Sequence, residues 1–465
     1  MNGADLPPLY RMTDLRQVAG AVEGALEGRA VDIRGVATDT RAIAAGELFV
    51  ALKGERFDGH AYVEEAARRG AAAALVSTRV AHALPQVVVA DTRLALGRLA
   101  AHWRSRYALP LVALTGSNGK TTVKEMIAAI LAAHCGSRDE VLATEGNLNN
   151  DIGMPLTLLR LREHHRYAVI EMGMNHEGEI DYLTRIAEPT VALVNNAQRA
   201  HVGILGSLEA IARAKGEIYA GLKPSGIAVV NEDDAFAAYW KGLNAKPGSI
   251  PRRIVTFGLS QSADVRATIE GAQLRVVTPQ DAFAVTLRVS GEHNVRNALA
   301  ACAAAHALAI PVHAMQQALR DFAGVPGRLQ RRTGIGGATV IDDSYNANPE
   351  SMKAAIRVLA AERGRRVLVM GDMGELGSES SGLHAEVGAF AREAGLEALL
   401  ALGGDSREAV AAFGAGGRHF AGLDALLQAA TDEARAGATL LVKGSRFMQM
   451  ERVADALAPG DGHAA

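Results

Sequence analysis

Short apolar runs alternate with amphipathic stretches along the whole chain, which is the pattern of an α/β protein. Three successive stretches repeat this alternation, at residues 1–92, 93–326 and 327–465. The third stretch predicts a βαβ series with a largely parallel sheet. Its predicted strands are 339–341, 366–370, 398–402 and 439–442, and its predicted helices are 349–362, 384–394, 407–413 and 446–457. We therefore predict three α/β domains with these boundaries.

Length and composition support this division and exclude some classes of protein. At 465 residues the chain is too long for one compact core, and 49% hydrophobic with 22% charged residues is typical of a globular protein. The net charge of −2 gives no electrostatic reason to expect nucleic acid or an anionic membrane as a partner. No signal-peptide pattern and no bilayer-length apolar run is visible, and two cysteines make no disulfide framework. We expect a cytoplasmic protein without membrane insertion, and a monomer.

A phosphate-binding loop is the strongest local signal. The apolar run at 111–114 predicts a buried strand, followed by the loop and helix start Thr115-Gly116-Ser117-Asn118-Gly119-Lys120-Thr121-Thr122. Backbone N–H groups of such a loop bind phosphate, Lys120 can reach the outer phosphates, and the Thr121 hydroxyl can bind Mg²⁺. The usual pattern G-x-x-x-x-G-K-[ST] would require glycine in place of Leu114, so this is a shortened variant. The sequence predicts a nucleoside triphosphate site, with an ordinary glycine turn as the alternative.

Two further positions are candidates for binding the metal of that nucleotide. Glu171 ends the predicted strand 167–170, and a carboxylate at the C-terminal edge of a strand near a phosphate loop is well placed to hold Mg²⁺. His201 follows the next predicted strand, 190–194. A lone histidine is more often structural than a ligand, so both readings of His201 stay open at this point.

Lys215 interrupts an apolar stripe. It shares one face of a predicted helix with Leu208, Ile211, Ile218 and Leu222. Desolvation of an inward lysine lowers its pKa and leaves a neutral amine, which can add CO₂ to give a carbamate that binds Mg²⁺ as a carboxylate does. Two alternatives remain: the side chain snorkels outward, or the unmodified amine pairs with Glu171, Glu217 or a phosphate.

Other polar or glycine-rich clusters are less informative by themselves. Residues 38–41 and 53–60 are rich in Asp, Gly and Thr, which favour turns, so turn chemistry explains them without a ligand. The loop at 371–377 is rich in glycine but lacks G-x-G-x-x-G, so we predict no dinucleotide site there.

Together the motifs resemble those of the Mur ligases, the ATP-dependent amide-forming enzymes of peptidoglycan synthesis. The resemblance runs from about residue 36 to 453 and includes the loop 115–121, the segments 144–150, 171–173, 201–203 and 291–298, Lys215, and 327–328. Ser117 is a mild departure, because other family members often have Thr there. The segments DDSYNANP at 342–349 and KGSRFM at 443–448 are similar to those of members that add D-alanyl-D-alanine.

The resemblance implies a three-domain Mur ligase architecture. A UDP-sugar-binding N-terminal domain would precede a central domain with a P-loop ATPase-like parallel sheet and a Rossmann-like C-terminal domain that binds the amine donor and closes on ATP. The implied activity is ATP-dependent addition of D-alanyl-D-alanine to UDP-N-acetylmuramoyl-tripeptide through an acyl phosphate, the last cytoplasmic step of UDP-muramoyl-pentapeptide synthesis. The implied cofactors are ATP, two Mg²⁺ ions and a carbamate on Lys215.

The resemblance also assigns roles to residues. ATP contacts are implied for the loop 115–122 and for Asn294, Asn297, Arg328, Asp343 and Tyr345. Metal contacts are implied for Thr121, Thr144, Glu171, His201 and Lys215. Substrate contacts are implied for Thr40, Arg41, Asp58, Gly59, His60, Asn147, Asn150, Asn346, Asn348, Lys443 and Arg446. The implied catalytic residues are Lys120, Glu171, His201, Lys215, Arg328 and Asp343.

Three alternative functions stay open. A folylpolyglutamate synthase-like ligase shares the phosphate loop and the activation chemistry, but it would not need a uridine-binding first domain. A Mur ligase that adds diaminopimelate or lysine is closer, and residues 342–349 argue against it. A P-loop regulatory ATPase would hydrolyse ATP with no amine acceptor. The third residue of the acceptor peptide, diaminopimelate or lysine, is not determined by the sequence.

Overall fold

The computed structural model describes residues 13–55, 57–199, 202–245, 251–271 and 273–459. Within them the chain forms three large sheets, of five, nine and six strands, that follow one another along the sequence. The predicted α/β class with largely parallel sheets is therefore confirmed. No helix in these ranges is long and apolar enough to cross a membrane.

The N-terminal region contains strands β1 Thr13–Asp14, β2 Ala25–Glu27, β3 Asp32–Ile33, β4 Gly35–Ala37, β5 Glu47–Val50, β6 Ala73–Val76 and β7 Gln86–Val88, and helices α1 Leu15–Val22, α2 Val63–Arg68 and α3 Thr92–Ser105. Its five-stranded sheet has the order β2-β7-β6-β5-β4, while β1 pairs separately with β3. Helix α3 buries Leu96 and Leu99 in one apolar cluster with Leu48 of β5 and Ala113 of the next sheet. The N-terminal and central sheets thus share a core through α3.

The central region contains strands β8 Leu111–Thr115, β9 Val141–Ala143, β10 Tyr167–Glu171, β11 Val191–Val194, β12 Ile227–Asn231, β13 Arg253–Gly258, β14 Val265–Glu270, β15 Gln273–Val277 and β16 Ala282–Val285. Its helices are α4 Lys120–Cys135, α5 Gly153–Leu158, α6 Glu179–Ala187, α7 Val202–Leu205, α8 Leu208–Gly216, α9 Ala237–Asn244, α10 Glu292–Ala307 and α11 Val312–Asp321. The sheet order is β16-β15-β14-β13-β12-β11-β8-β10-β9. The chain leaves β8 with parallel neighbours on both sides, so the following loop opens into a crevice at the carboxyl edge of the sheet.

The C-terminal region contains strands β17 Gln330–Thr333, β18 Thr339–Asp343, β19 Arg366–Gly371, β20 Ala398–Leu402, β21 Gly417–Phe420 and β22 Thr439–Lys443, and helices α12 Pro349–Ala360, α13 Ser380–Glu393, α14 Ser406–Phe413, α15 Leu423–Arg435 and α16 Glu451–Leu457. The sheet order is β17-β18-β22-β19-β20-β21, parallel except for β17. The four predicted strands of this region are confirmed as β18, β19, β20 and β22.

The predicted helix 446–457 is wrong as one element. A 3-10 turn, Arg446–Met448, is followed by Gln449 at φ 50°, and α16 begins only at Glu451. The left-handed residue reverses the backbone, which separates the turn from the helix. The domain boundaries at residues 92 and 326 fall between the sheets and stay predictions.

Candidate functional site

The phosphate loop joins β8 to α4. Gly119 adopts φ 78°, and a Cβ there would come within 2.4 Å of the Asn297 Oδ1, so a side chain does not fit. Within the described residues no side chain caps the N-terminus of α4. Its N–H groups and dipole are therefore available to an anion. Lys120 opens the helix and donates from Nζ to the Gly116 carbonyl at 2.8 Å, and burial lowers the pKa of this lysine.

A collar of amide side chains holds the loop from one side. The Asn196 Oδ1 accepts from the Asn118 N–H at 2.9 Å, and the Asn195 Nδ2 donates to the Asn118 carbonyl at 2.9 Å. The Ser117 hydroxyl donates to the Gln198 carbonyl at 3.0 Å and accepts from the Gln198 N–H at 2.9 Å. The sequence interpretation missed these supporting residues. The available signal was an amide-rich run directly after β11, the strand next to β8.

Glu171 lies at the end of β10, 2% exposed, and faces the loop. Its Oε2 accepts from the Thr121 hydroxyl at 2.9 Å, and its Oε1 accepts from the Asn149 amide at 2.7 Å. The Thr144 hydroxyl accepts from the Glu171 backbone N–H at 3.0 Å and so holds the end of the strand. Among the described residues, no three His, Cys, Asp or Glu side chains converge as a metal cluster. The hydroxyl and carboxylate fit Mg²⁺, which usually takes one or two carboxylates and completes its shell with phosphate oxygens and water.

Lys215 faces inward, as the apolar stripe predicts. It is 2% exposed, so outward snorkelling is excluded. Burial lowers the pKa of Lys215 well below its usual value, and the neighbouring Lys120 charge acts in the same direction. The stripe does not lie on one helix, because α8 ends at Gly216 and a 3-10 turn, Glu217–Tyr219, continues it.

The described carboxylates do not pair with Lys215. Glu217 accepts hydrogen bonds from the Gly178 N–H at 2.8 Å and the Asp181 N–H at 3.1 Å, so its carboxylate holds the start of α6. His201 lies outside the described residues, and its predicted role stays a prediction. Of the two residues predicted to bind a second metal ion, the structure therefore describes Lys215 alone.

Arg328 crosses from the linker before β17 to the central sheet. Its Nη2 donates to the Thr121 hydroxyl at 2.9 Å, and its guanidinium lies 4.1 Å from the centre of the Tyr345 ring. Arg446 lies on the same ring at 5.8 Å and pairs with Glu451 at 3.0 Å. Each guanidinium is attracted by the negative potential over the face of the ring.

Asp343 and Lys443 form a buried ion pair at 2.6 Å between the ends of β18 and β22. The same lysine donates to the Asn346 carbonyl at 2.8 Å, and the Asp343 carboxylate accepts from the Leu329 N–H at 3.1 Å. Lys443 is 2% exposed. In this arrangement its ammonium holds the turn that carries Tyr345 and Asn346.

The segment 342–349 touches the phosphate loop directly. The Asn348 Nδ2 donates to the Asn118 Oδ1 at 2.7 Å, while the Asn348 Oδ1 caps α12 by accepting from the Ser351 N–H at 2.9 Å. On the central side, the Asn297 Oδ1 accepts from the Asn195 amide at 3.2 Å, and the Asn294 Nδ2 donates to the Ser290 carbonyl at 2.8 Å. Residues remote in sequence are thus assembled around one loop.

One cavity of 1860 Å³ lies between the central and C-terminal sheets. It collects most of the predicted ATP, metal and donor residues: 117–122, Asn147, Asn150, Glu171, Lys215, Asn294, Asn297, Arg328, Asp343, Tyr345, Asn346, Asn348, Lys443 and Arg446. Its described lining does not include Thr115, Gly116 or Thr144, nor Thr40, Arg41, Asp58, Gly59 and His60 of the N-terminal region.

The polar groups of the N-terminal region contact other residues of the same region. The His60 Nε2 accepts from the Ser77 N–H at 2.8 Å, which leaves the proton on Nδ1, 2.5 Å from the Asp58 Oδ1. The Arg41 guanidinium binds the Asp39 carboxylate and lowers its pKa to about 2. Their role in binding a uridine nucleotide stays a prediction.

Three family descriptions match successive parts of the chain. "Mur ligase family, catalytic domain" matches residues 32–104, "Mur ligase middle domain" matches 114–305, and "Mur ligase, glutamate ligase domain" matches 327–446. These matches follow the three sheets along the sequence.

Relatives and solved structures agree with these matches. The chain is 44% identical to the UDP-N-acetylmuramoyl-tripeptide--D-alanyl-D-alanine ligase of Escherichia coli (strain K12), over 95% of this chain and 98% of the relative. A crystal structure of MurF from Acinetobacter baumannii superposes with TM-score 0.87 at 38% identity, covering 94% of this chain and 97% of the other. The MurF ligase from Thermotoga maritima in complex with ADP superposes with TM-score 0.77 at 25% identity, covering 91% and 96%. With similarity of this extent along its length, the chain belongs to the Mur ligase family.

Proposed function

We propose that the chain is an ATP-dependent ligase that joins D-alanyl-D-alanine to UDP-N-acetylmuramoyl-tripeptide, the last cytoplasmic step of UDP-muramoyl-pentapeptide synthesis. The named activity of the Escherichia coli relative supports this substrate pair. The observation that carries the proposal is the Arg328–Thr121 hydrogen bond, because it brings a residue from the C-terminal region onto the hydroxyl of the phosphate loop. A ligase needs contact between its donor-binding region and its ATP site, because the amine must reach the activated carboxylate. An enzyme that only hydrolyses ATP has no amine to place.

Phosphoryl transfer is the first step. Joining a carboxylate to an amine in water is uphill, so the acceptor carboxylate attacks the γ-phosphorus of ATP and releases ADP, giving an acyl phosphate. The loop N–H groups, Lys120 and Arg328 stabilise the negative charge on the phosphoryl group in transit. Thr121 and Glu171 would hold one Mg²⁺, which neutralises phosphate charge. Asn149 holds the Glu171 carboxylate, and Thr144 holds the backbone N–H of the same residue.

Lys215 and His201 are proposed to hold a second Mg²⁺. Burial lowers the pKa of Lys215 and so favours the neutral amine, which can add CO₂, forming an N–C bond and losing one proton. The resulting carbamate bears a negative charge and two oxygen atoms that can bind Mg²⁺, whereas the neutral amine bears no charge to attract the ion. The apolar surroundings of α8 explain why the amine stays neutral.

Amide formation is the second step. The dipeptide amine attacks the acyl carbon, and the tetrahedral intermediate expels phosphate. Arg446 is the proposed partner of the dipeptide carboxylate, because it lies on the cavity wall beside Tyr345. Lys443 acts on the donor through the turn containing Asn346, whose carbonyl it holds. Contact between the two domains would keep water from the acyl phosphate.

The acceptor's nucleotide is assigned to the N-terminal region, with Thr40, Arg41, Asp58, Gly59 and His60 as proposed contacts. Asn147 and Asn150 lie on the cavity wall towards that region and would meet the acceptor. We further propose that the protein acts in the cytoplasm as a monomer.

Phosphate release tests the proposal. The protein is incubated with ATP, Mg²⁺ and UDP-muramoyl-tripeptide, and D-alanyl-D-alanine, diaminopimelate, lysine or glutamate is added in separate reactions. We expect release above background only with the dipeptide, together with a product whose mass rises by one dipeptide less water. Release with no amine would instead identify an ATPase, and release with free diaminopimelate, lysine or glutamate would identify another ligase.

A further inference from the structure

The amide collar continues into a cationic side chain that reaches the C-terminal region. We name residues 195–199 the strap. At its inner end, the Asn195, Asn196 and Gln198 groups bond to Ser117 and Asn118 of the phosphate loop. The strap's last residue, Arg199, has no part in the chemistry described above.

Arg199 contacts two helices of the C-terminal region at once. Its Nε donates to the Glu350 Oε1 on α12 at 2.5 Å. Its Nη1 and Nη2 donate to the two carboxylate oxygens of Glu386 on α13, at 3.1 and 2.9 Å. A bidentate guanidinium–carboxylate pair fixes orientation as well as distance. Hydrogen bonds from Arg199, with help from Lys353, lower the pKa of Glu386 to about 2.

The contacts of the strap converge on the start of α12. Asn348 caps this helix and also bonds to Asn118, while Glu350 in its first turn bonds to Arg199. Ser117 and Asn118 are therefore held by a segment whose other end is fixed by the C-terminal region. A shift of α12 therefore moves Asn348, which bonds to Asn118, together with Glu350, which bonds to the end of the strap.

A close backbone approach lies beside this contact. The Gly203 N–H donates to the Glu375 carbonyl at 3.1 Å, and a Cβ on Gly203 would come within 2.4 Å of the Gly377 nitrogen. The two regions are thus docked by an ion-pair cluster and by a contact that only glycine permits.

We propose that the strap couples docking of the C-terminal region to the conformation of the phosphate loop, with Arg199 as its positioning residue. The bidentate pair places α12, and the amide groups transmit that placement to Ser117 and Asn118. The kinetic consequence of this coupling rests on the proposed function. The phosphate loop would hold ATP in its reactive position only when the donor-binding region is docked.

Hydrogen exchange followed by mass spectrometry tests the coupling without any substrate. The reporters are the Gly203 N–H for docking, and the Ser117 and Asn118 N–H groups for the loop, which bond to Asn196 at 3.1 and 2.9 Å. In Arg199→Ala we expect exchange about threefold to tenfold faster at both sites, the size expected for loss of charge-assisted bonds. Arg365→Ala is the matched control, because it removes a guanidinium that binds Glu433 within the C-terminal region. It should leave both reporters unchanged.

Other outcomes overturn the proposal. Faster exchange at Gly203 alone would mean that Arg199 docks the region without affecting the loop. Unchanged exchange at Gly203 and at the loop in Arg199→Ala would show that Arg199 has no positioning role. Equally faster exchange in Arg365→Ala would show the same. Gly203→Ala provides a second route, since its methyl group pushes the regions apart, and it should also speed exchange at Ser117 and Asn118.

Kinetics then separate this inference from the proposed function. In the dipeptide-dependent assay, Arg199→Ala should lower kcat by about tenfold with little change in the KM for UDP-muramoyl-tripeptide. Arg199→Lys should restore part of the loss, because it keeps the charge but not the bidentate geometry. An unchanged kcat, or a loss confined to the acceptor KM, would overturn the coupling. Absence of dipeptide addition by the unaltered protein would defeat the proposed function, while the exchange result would still decide the coupling.

Discussion

The central and C-terminal sheets each end in a glycine-containing loop before a helix, yet the two helix starts differ. At the central edge, no described side chain caps α4, and the loop opens to the cavity. At the C-terminal edge, the Asp372 carboxylate accepts from the Gly404, Asp405 and Ser406 N–H groups at 2.7, 3.3 and 2.8 Å, at the start of α14. The N–H groups at the start of α4 can therefore bind an external anion, whereas those at the start of α14 are bound by the protein's own carboxylate.

A parallel-sheet edge can bind phosphate only where the N–H groups of its helix start are not already bound by a side chain. Helix N-termini attract anions whatever their source. A Cβ on Gly403 would lie 2.1 Å from the Asp372 Oδ1, which shows how closely the carboxylate fills its site. Asp372 belongs to the loop 371–377 after β19, but the helix start that it satisfies is that of α14, which follows the next strand, β20. Four substitutions test this comparison.

Lys120→Ala should have the largest effect. Removing the ammonium takes away one of the cations that stabilise the phosphoryl group in transit, so dipeptide-dependent phosphate release should fall by about 1000-fold. Binding of UDP-muramoyl-tripeptide, measured calorimetrically, should persist because Lys120 acts on ATP alone. Lys223→Ala, on the surface, is the control. Retention of a large share of turnover would show that the open helix start is not the ATP site.

Glu171→Gln should lower turnover by about 100-fold, with partial recovery at high Mg²⁺. The amide keeps the shape and a hydrogen bond to Thr121 but loses the charge that favours the metal. A Mg²⁺ titration of the rate gives the measurement. A rate and a Mg²⁺ dependence equal to those of the unaltered protein would show that Glu171 only supports the structure of the loop.

Lys215→Ala should lower turnover by about 100-fold, and formate should restore part of it by occupying the vacated place. Burial lowers the pKa of Lys215, so its amine is neutral at pH values where an ordinary lysine is charged. Depleting CO₂ near neutral pH should therefore slow the unaltered enzyme reversibly. An unmodified amine found by mass spectrometry under gentle, CO₂-containing conditions would contradict the carbamate.

Asp372→Ala should have the smallest effect on turnover but should lower the free energy of unfolding by about 2 kcal/mol, because three N–H groups lose a charged acceptor. Urea unfolding gives the value. Added phosphate should raise the melting temperature of the variant more than that of the unaltered protein. Equal rises in melting temperature in the two proteins would mean that the start of α14 does not bind an anion even without Asp372. The difference between α4 and α14 would then not depend on this carboxylate alone.

Contiguous features were predictable from the sequence. The phosphate loop was recognised because strand, glycines, Lys120 and helix are neighbours along the chain, so local geometry alone assembles them. Lys215 was recognised as inward-facing because the period of its apolar neighbours defines a buried face, even though the helix ends at Gly216. In the central and C-terminal sheets, the unpredicted strands are β9, β12 to β17 and β21. The half-exposed residues of β21 lie at a sheet edge and carry no apolar run.

Only the tertiary structure decided which distant residues meet at the loop. The Arg328–Thr121 bond joins positions 207 residues apart, and the Asn348–Asn118 bond joins positions 230 apart. Such contacts depend on how the sheets pack, which no local pattern of hydrophobicity encodes. The same holds for His60, whose ring accepts from the Ser77 N–H. The residue types along the chain define which groups can do phosphate and metal chemistry. Packing defines which of them share a cavity, because hydrogen bonds between remote segments form only where the folded backbone brings them together.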